Sequence, residues 1–118
     1  NQLGEHFHRT NIGDDEFNVT FPLVELQDGH PTKVIKPLNL AQSETTKILE
    51  HGNKWKFRIR RLRQLSAVPK KILFAVEGLE EPGQRAIACH EATRMLRDTG
   101  AVVLPYRDQT EILEFAGS

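Results

Sequence analysis

Two short apolar runs in the second half of the chain constrain its fold more than any other feature. The first, KKILFAV, spans Lys70 to Val76, and the second, AVVLPY, begins at Ala101. Continuous apolar runs of this length are typical of strands that are covered on both faces of a sheet. Between them, Pro82 opens a predicted helix that ends near Gly100. Strands joined through a helix are nearly always parallel neighbours, so the sequence predicts a βαβ unit.

The first half of the chain carries the pattern of a half-buried strand. Residues 16–26 begin with alternating apolar and polar positions, and one face carries Phe17, Val19, Phe21 and Leu23. The segment QDGHP, residues 27–31, predicts a hairpin turn, and TKVIKPLNL predicts the second strand. Pro22 and Pro37 each indicate an edge position or a bulge, because proline cannot donate to a strand ladder.

These segments predict one α/β domain over residues 16–118, with residues 1–15 as an N-terminal extension. The fold class is a single mixed sheet, made of the antiparallel hairpin and the βαβ unit, with helices packed on it. After the last strand, Asp108 and Glu111 form a capping-box pattern that predicts a short final helix.

A third segment, NKWKFRIRRLRQ at residues 53–64, contains six of the sixteen basic residues. As a strand, residues 54–60 alternate without interruption. As part of a helix that starts with Ser43 as N-cap, the segment contributes to one apolar stripe, formed by Ile48, Trp55, Ile59 and Leu62. We favour the helix because its stripe extends over fifteen residues and the strand alternation over only seven.

The helical interpretation sorts the basic side chains onto two flanks of the apolar stripe. One flank carries Lys47, Lys54, Arg58 and Arg61, and the other carries Lys56, Arg60 and Arg63. Residues 41–71 hold nine bases and two acids, which is the composition of a surface that binds a polyanion. The alternative is that the basic stems line the rim of a core contact and keep their charges in water. In either case Trp55 lies in the stripe, and is expected in the core.

Residues 16–76, in the order hairpin, helix and strand, resemble the core of PD-(D/E)XK nucleases. In that family an acid, followed by an acid and a lysine on the next strand, holds a divalent metal that activates water. The resemblance carries over Asp28 and Lys36, but the position two before the lysine is Val34. It therefore implies a degenerate, non-cleaving relative whose magnesium site is incomplete.

A second pair of carboxylates follows the two buried strands. Glu77-Gly78 is similar to the first motif of Toprim phosphotransfer domains, which bind magnesium, and Asp108 follows the next strand. Ligands gather at the carboxyl ends of parallel strands, so the two carboxylates could meet there. The second Toprim motif is absent, because Tyr106-Arg107-Asp108 supplies one acid only. The alternative is that Glu77 begins a polar loop and Asp108 caps a helix.

The remaining candidate residues give weaker signals. His6 and His8 would share one face of an extended segment, with Asp14 and Asp15 nearby, but a loosely held chain start explains them equally. The single cysteine, Cys89, cannot form an intrachain disulfide and is expected in the core. Magnesium is the one cofactor that any of these patterns suggests.

The sequence also excludes some classes of protein. The chain is 38% apolar and 27% charged, it has no apolar run of membrane-spanning length, and its start lacks a signal layout. We expect a soluble, cytoplasmic protein and, because it begins at asparagine, a domain of something longer. The leading hypothesis is a non-catalytic nucleic-acid-associated domain. The alternatives are an interaction or oligomerisation module whose basic helix meets an acidic protein, and a metal-dependent nuclease or phosphotransfer enzyme.

Overall fold

The computed structural model describes residues 2–42, 44–80 and 82–118, with side chains from residue 4 onward. Across these residues the chain forms one five-stranded sheet and four helices. In chain order the elements are α1 (Gln2–His6), β1 (Phe7–Gly13), β2 (Asn18–Gln27), β3 (His30–Asn39), α2 (Thr45–Gln64), β4 (Lys71–Glu77), α3 (Gln84–Arg97), β5 (Val102–Pro105) and α4 (Gln109–Gly117). The predicted N-cap Ser43 lies outside the described residues.

The strands lie in the sheet in the same order as in the sequence, and the predicted mixed sheet is confirmed. β1, β2 and β3 are antiparallel neighbours, whereas β3, β4 and β5 are parallel neighbours. The predicted βαβ unit is β4–α3–β5, and β3–α2–β4 makes a second crossover of the same kind. Among the described helices, none combines the length and apolarity needed to cross a membrane.

The sheet is one strand larger than predicted. Residues 7–13, which the sequence analysis assigned to an extension, form β1 and pair along β2. Phe7 and Ile12 of this strand are buried, on opposite faces of the sheet. Burial of both side chains attaches the segment to the core, so the predicted boundary at residue 16 is corrected: β1 belongs to the domain.

The proline in β2 lies at a bulge. His8 is paired with Val24 and Thr10 with Phe21, so β2 carries one residue more than β1 across this interval. The extra residue falls at Pro22–Leu23, where the ladder is interrupted and a missing backbone N–H costs little. Pro37 lies in β3 beside Ala75 of β4, beyond the part of β3 that pairs with β2.

The sheet forks between β2 and β3. Their pairing runs from Gln27 and His30 only as far as Leu23 and Ile35. Beyond that point, among the described residues, the first half of β2 pairs with β1 and the second half of β3 pairs with β4. The hairpin β1–β2 therefore continues away from β3, and Trp55 and Arg58 of α2 line the space between them.

Each face of the sheet carries its own apolar cluster. On one face, α2 and α3 pack against a large cluster that includes Phe21, Trp55, Phe74 and Leu96. On the other, α4 contributes Ile112 to a smaller cluster with Phe7, Ile35, Leu73 and Ala75. Successive residues of β4 alternate between the two clusters, which confirms the prediction that this strand is covered on both faces.

Helix α2 resolves the ambiguity of the basic stretch, because residues 54–60 are helical. The whole predicted stripe is buried, and Gly52 joins it. A Cβ atom at Gly52 would lie 2.8 Å from the Cβ of Ala92 in α3. The glycine in the middle of α2 is therefore explained by the close approach of the two helices.

The boundaries of the last two helices differ in detail from the prediction. α3 begins at Gln84 rather than at Pro82, because Gly83 precedes it with φ 68°, and it ends at Arg97, three residues before Gly100. Asp108 occupies the predicted N-cap position of α4, but its side chain makes no capping hydrogen bond. The capping-box pattern thus predicted the start of the helix correctly, but the Asp108 side chain does not form the expected capping hydrogen bond.

Candidate functional site

The structure separates the two residues suggested by the nuclease resemblance. Asp28 lies in the exposed turn between β2 and β3, where its φ is 53°. Lys36 lies on β3, six residues beyond its first residue, His30. At the usual rise of a strand this separation is about 20 Å. Asp28 and Lys36 consequently cannot act on one metal ion or one water molecule.

Glu77 and Asp108 lie at the expected edge of the sheet but do not form a metal site. A cavity of about 350 Å³ at the carboxyl ends of β4 and β5 is lined by Glu77, Glu80 and Arg107, whereas Asp108 is not part of its wall. Arg107 forms an ion pair with Glu80. No group of three or more His, Cys, Asp or Glu side chains in the described part of the chain can hold a metal ion. Among the described residues, Glu77 and Asp108 therefore do not join a set of three such ligands at this edge.

The two basic flanks of α2 differ in what they contact. On the second flank, Arg63 donates from Nε to the carbonyl oxygen of Thr99, at 3.0 Å, and so ties α2 to the end of α3. Lys56 is half-buried and Arg60 is exposed. Arg63 therefore has the structural role of a rim residue, which was the alternative interpretation of the basic stretch.

The first flank is joined by a lysine from the sheet. The Nζ atom of Lys36 lies 5.0 Å from the ring centroid of Trp55, and the guanidinium carbon of Arg58 lies 4.7 Å from the same centroid. Both distances are those of cation–π contacts. Trp55 is 5% exposed, so it belongs to the core as predicted and supports two cations at its surface.

Four basic side chains share one electrostatic environment at this place, and we call them the basic cluster: Lys36, His51, Lys54 and Arg58. Burial lowers the pKa of Lys36, and the charges of Arg58 and Lys54 lower it further. The pKa of His51 is also lowered, first by burial and then by Lys54, Lys36 and Arg58. Neighbouring positive charges disfavour protonation of a basic group, so they lower both pKa values in the same direction as burial does.

Burial and its cationic neighbours favour the neutral form of His51, so the charge of the basic cluster comes from Lys36, Lys54 and Arg58. In the described ranges of the chain, none of the four has a carboxylate oxygen within the 4.0 Å of an ion pair. Glu50 lines a shallow cavity with Lys47, His51 and Lys54, but forms no ion pair with them. The cluster is thus a place where a bound anion would replace repulsion by attraction.

The fork in the sheet gives the basic cluster a concave surface. A cavity of about 380 Å³ is lined on one side by the start of β2 and on the other by α2, with Lys36 between them. Its lining residues are Phe17, Asn18, Val19, Thr20, Lys36, Trp55 and Arg58. The site therefore combines three segments that are distant in the sequence.

Part of this site was predictable from the sequence. Lys54 and Arg58 were predicted on one flank of α2, but Lys36 was assigned to a metal site and His51 to no role. The spacing of Lys47, His51, Lys54 and Arg58 by four, three and four residues would have placed His51 on that flank. No pattern in the sequence indicates that Lys36 joins them, because that contact depends on the packing of α2 on the sheet.

Comparison with known proteins adds no family to this description. No protein family, curated protein or solved structure matches the chain. The resemblance to PD-(D/E)XK cores stays a prediction.

The basic cluster should lower the stability of the protein in the absence of a ligand. We expect Lys36→Met to raise the melting temperature by about 2–4 °C at low salt, because it removes a partly buried charge that Arg58 and Lys54 repel. The methionine sulfur can replace the ammonium at the ring of Trp55. The measurement is thermal unfolding followed by circular dichroism at low and at high sodium chloride.

The control for this prediction is Lys70→Met, which removes an exposed lysine outside the cluster. High salt should shrink the gain from Lys36→Met, because salt screens the repulsion. A lower melting temperature for Lys36→Met than for the unmodified protein would show that the cluster is not strained.

Proposed function

We propose that this domain binds the phosphate backbone of nucleic acid through the basic cluster and the neighbouring first flank of α2. The observation that carries the proposal is that Lys36 and Arg58 meet at the ring of Trp55, near Lys54 and His51, with no carboxylate at ion-pair distance in the described chain. Like charges held together lower stability, and a polyanion that neutralises them recovers that free energy on binding.

The arrangement suits a backbone better than a single small anion. Lys47 and Arg61 lie along the helix on either side of the cluster, and both are exposed to solvent, as is Lys54 within it. Residues at spacings of three and four follow one line along a helix, so successive phosphates can meet successive side chains. Backbone contacts of this kind position a nucleic acid without reading its sequence, and we propose a binding module without a catalytic step.

The proposal predicts salt-dependent binding that depends on the first flank. We expect Lys54→Ala with Arg61→Ala to weaken binding to a fluorescein-labelled DNA duplex by about tenfold, because two phosphate contacts are lost. Each neutralised phosphate contributes roughly 0.9 to the slope of log affinity against log salt, so the slope should fall by about 1.8. Fluorescence anisotropy over about 50 to 200 mM salt measures both quantities.

The matched control is Lys70→Ala with Arg94→Ala, which removes the same charge from exposed residues outside α2. This pair should leave the affinity within about twofold and the slope unchanged. Equal losses in both double variants would contradict a specific surface and indicate net charge alone. Failure of the unmodified protein to bind DNA or RNA at low salt would leave the rival hypothesis, in which the basic flank meets an acidic protein or a second copy of this chain.

A further inference from the structure

We infer that the nucleic acid is single-stranded and that Phe57 is the platform on which one of its bases stacks. This inference rests on the proposed function and adds the class of ligand to it. An aromatic ring that is exposed among cations is the usual element by which proteins grip unpaired bases, since every base has a face that can stack on it.

Phe57 has the exposure that such a platform requires, and Trp55 does not. Phe57 is 62% exposed, whereas Trp55 is 5% exposed and its surface is occupied by Lys36 and Arg58. Phe57 belongs to neither of the two buried apolar clusters. An aromatic face for a base is therefore available at Phe57 and not at Trp55.

The ring of Phe57 is held in place without being covered. It meets the ring of Phe17 edge to face, with centroids 6.0 Å apart and an interplanar angle of 83°. Phe17 immediately precedes β2 and is itself packed against the core. This contact restrains the rotation of Phe57, so less conformational entropy is lost when a base stacks on it.

The surroundings of Phe57 match the other parts of a nucleotide. An open cavity of about 380 Å³ is lined by Asn53, Lys56, Phe57, Arg60, Arg61 and Gln64. None of these lining residues is acidic. The two arginines and the lysine can hold phosphates, and the amides of Asn53 and Gln64 can donate to and accept from the edge of a base. Arg61 already donates to Oε1 of Gln64 at 3.2 Å, which orients that amide.

The geometry favours an unpaired strand over a duplex. Bases inside a duplex are stacked on their neighbours, so a protruding phenyl ring on a helix cannot reach a base face without breaking that stacking. A single strand can lay its backbone along the first flank of α2 and place a base on Phe57. Phe17 links the two areas, because it lines the cavity at Lys36 and also contacts Phe57.

The test compares Phe57→Ala and Phe57→Trp in the full chain. The probes are fluorescein-labelled poly-dT and poly-U of about 15 nucleotides and a duplex of equal length, measured by anisotropy. Phe57→Ala should weaken binding to the single strands by about fivefold or more, and leave duplex affinity and the salt slope unchanged. Phe57→Trp should keep or improve the affinity, since tryptophan stacks at least as well. The control is Ile87→Ala on α3, a side chain that is 61% exposed.

The outcomes separate the inference from the function on which it rests. Binding by the unmodified protein that is equal for strand and duplex, or unaffected by Phe57→Ala, overturns the inference and leaves the proposed function standing. Absence of any binding overturns both. Loss of affinity for poly-dT or poly-U in Phe57→Ala supports the inference. The strand that the unmodified protein binds more tightly identifies the ligand as DNA or RNA. Loss of single-strand affinity in Ile87→Ala, equal to that in Phe57→Ala, would also contradict a stacking role.

Discussion

Replacing Lys33 by methionine is expected to lower the free energy of unfolding by about 3–5 kcal/mol, the usual result of breaking a buried charge contact from one side. Lys33 is 5% exposed. Its ammonium donates to the carbonyl oxygen of Ala116 at 2.8 Å and to that of Ser118, at the end of α4. It also lies 4.0 Å from a carboxylate oxygen of Glu25. Methionine fills a similar volume but satisfies none of these acceptors.

Urea unfolding at neutral pH measures this change. The control is Lys71→Met on the adjacent strand, where the lysine is exposed and donates only weakly, to Oγ of Ser118 at 3.3 Å. The double variant Lys33→Met with Glu25→Gln should recover part of the loss in stability. It also removes the negative charge of Glu25, which Lys33→Met alone leaves unpaired. A loss below about 1 kcal/mol in the single variant would show that solvent reaches these acceptors easily.

The second large effect is expected at Gly52, where a bulky side chain would force α2 and α3 apart. A Cβ atom there would lie 2.8 Å from the Cβ and 3.0 Å from the Cα of Ala92. Gly52→Ala should cost about 1–2 kcal/mol, although alanine favours a helix over glycine by about 1 kcal/mol. Gly52→Leu should cost about 3 kcal/mol or more, because its side chain has no space to enter.

Urea unfolding measures these changes in the free energy of unfolding. Two further variants test whether the contact with Ala92 causes them. Gly117→Ala in α4 meets nothing within 4 Å and should be neutral or slightly stabilising. Combining Gly52→Ala with Ala92→Gly should restore part of the lost stability, because it removes the 2.8 Å contact between the two Cβ atoms but keeps the 3.0 Å contact with the Cα of residue 92. Stabilisation by Gly52→Ala alone would mean that the two helices separate at little cost.

Much of the fold was predictable because its elements follow single periodicities. The apolar residues of α2 recur at helical spacing, and those of β4 and β5 form the continuous runs of buried strands. β1 was missed because Phe7 and Ile12 lie on opposite faces of the sheet, so their spacing matches no one-sided pattern. The other residues of this edge strand are polar or glycine and mostly exposed, so neither an alternation nor a continuous apolar run appears in the sequence.

The candidate site was predictable only where it lies on one helix. Lys54 and Arg58 followed from the helical spacing, since neighbours on a helix face are three or four residues apart. The contact of Lys36 with Trp55 joins residues nineteen positions apart, and depends on how α2 lies across the fork. Phe57 does not belong to the predicted apolar stripe, and its position against Phe17 depends on the course of the β1–β2 hairpin.

The fork between β2 and β3 has a consequence for how the proposed site responds to a ligand. One wall of the cavity at Lys36 is the start of β2, near the tip of the β1–β2 hairpin. This part of the hairpin does not pair with β3, and it is held by contacts with α2 such as the Phe17–Phe57 pair. A hairpin held in this way can open locally at less cost than the whole domain can unfold. A bound strand that contacts both walls would hold the hairpin closed, so occupancy of the site and local order of β1–β2 are thermodynamically linked.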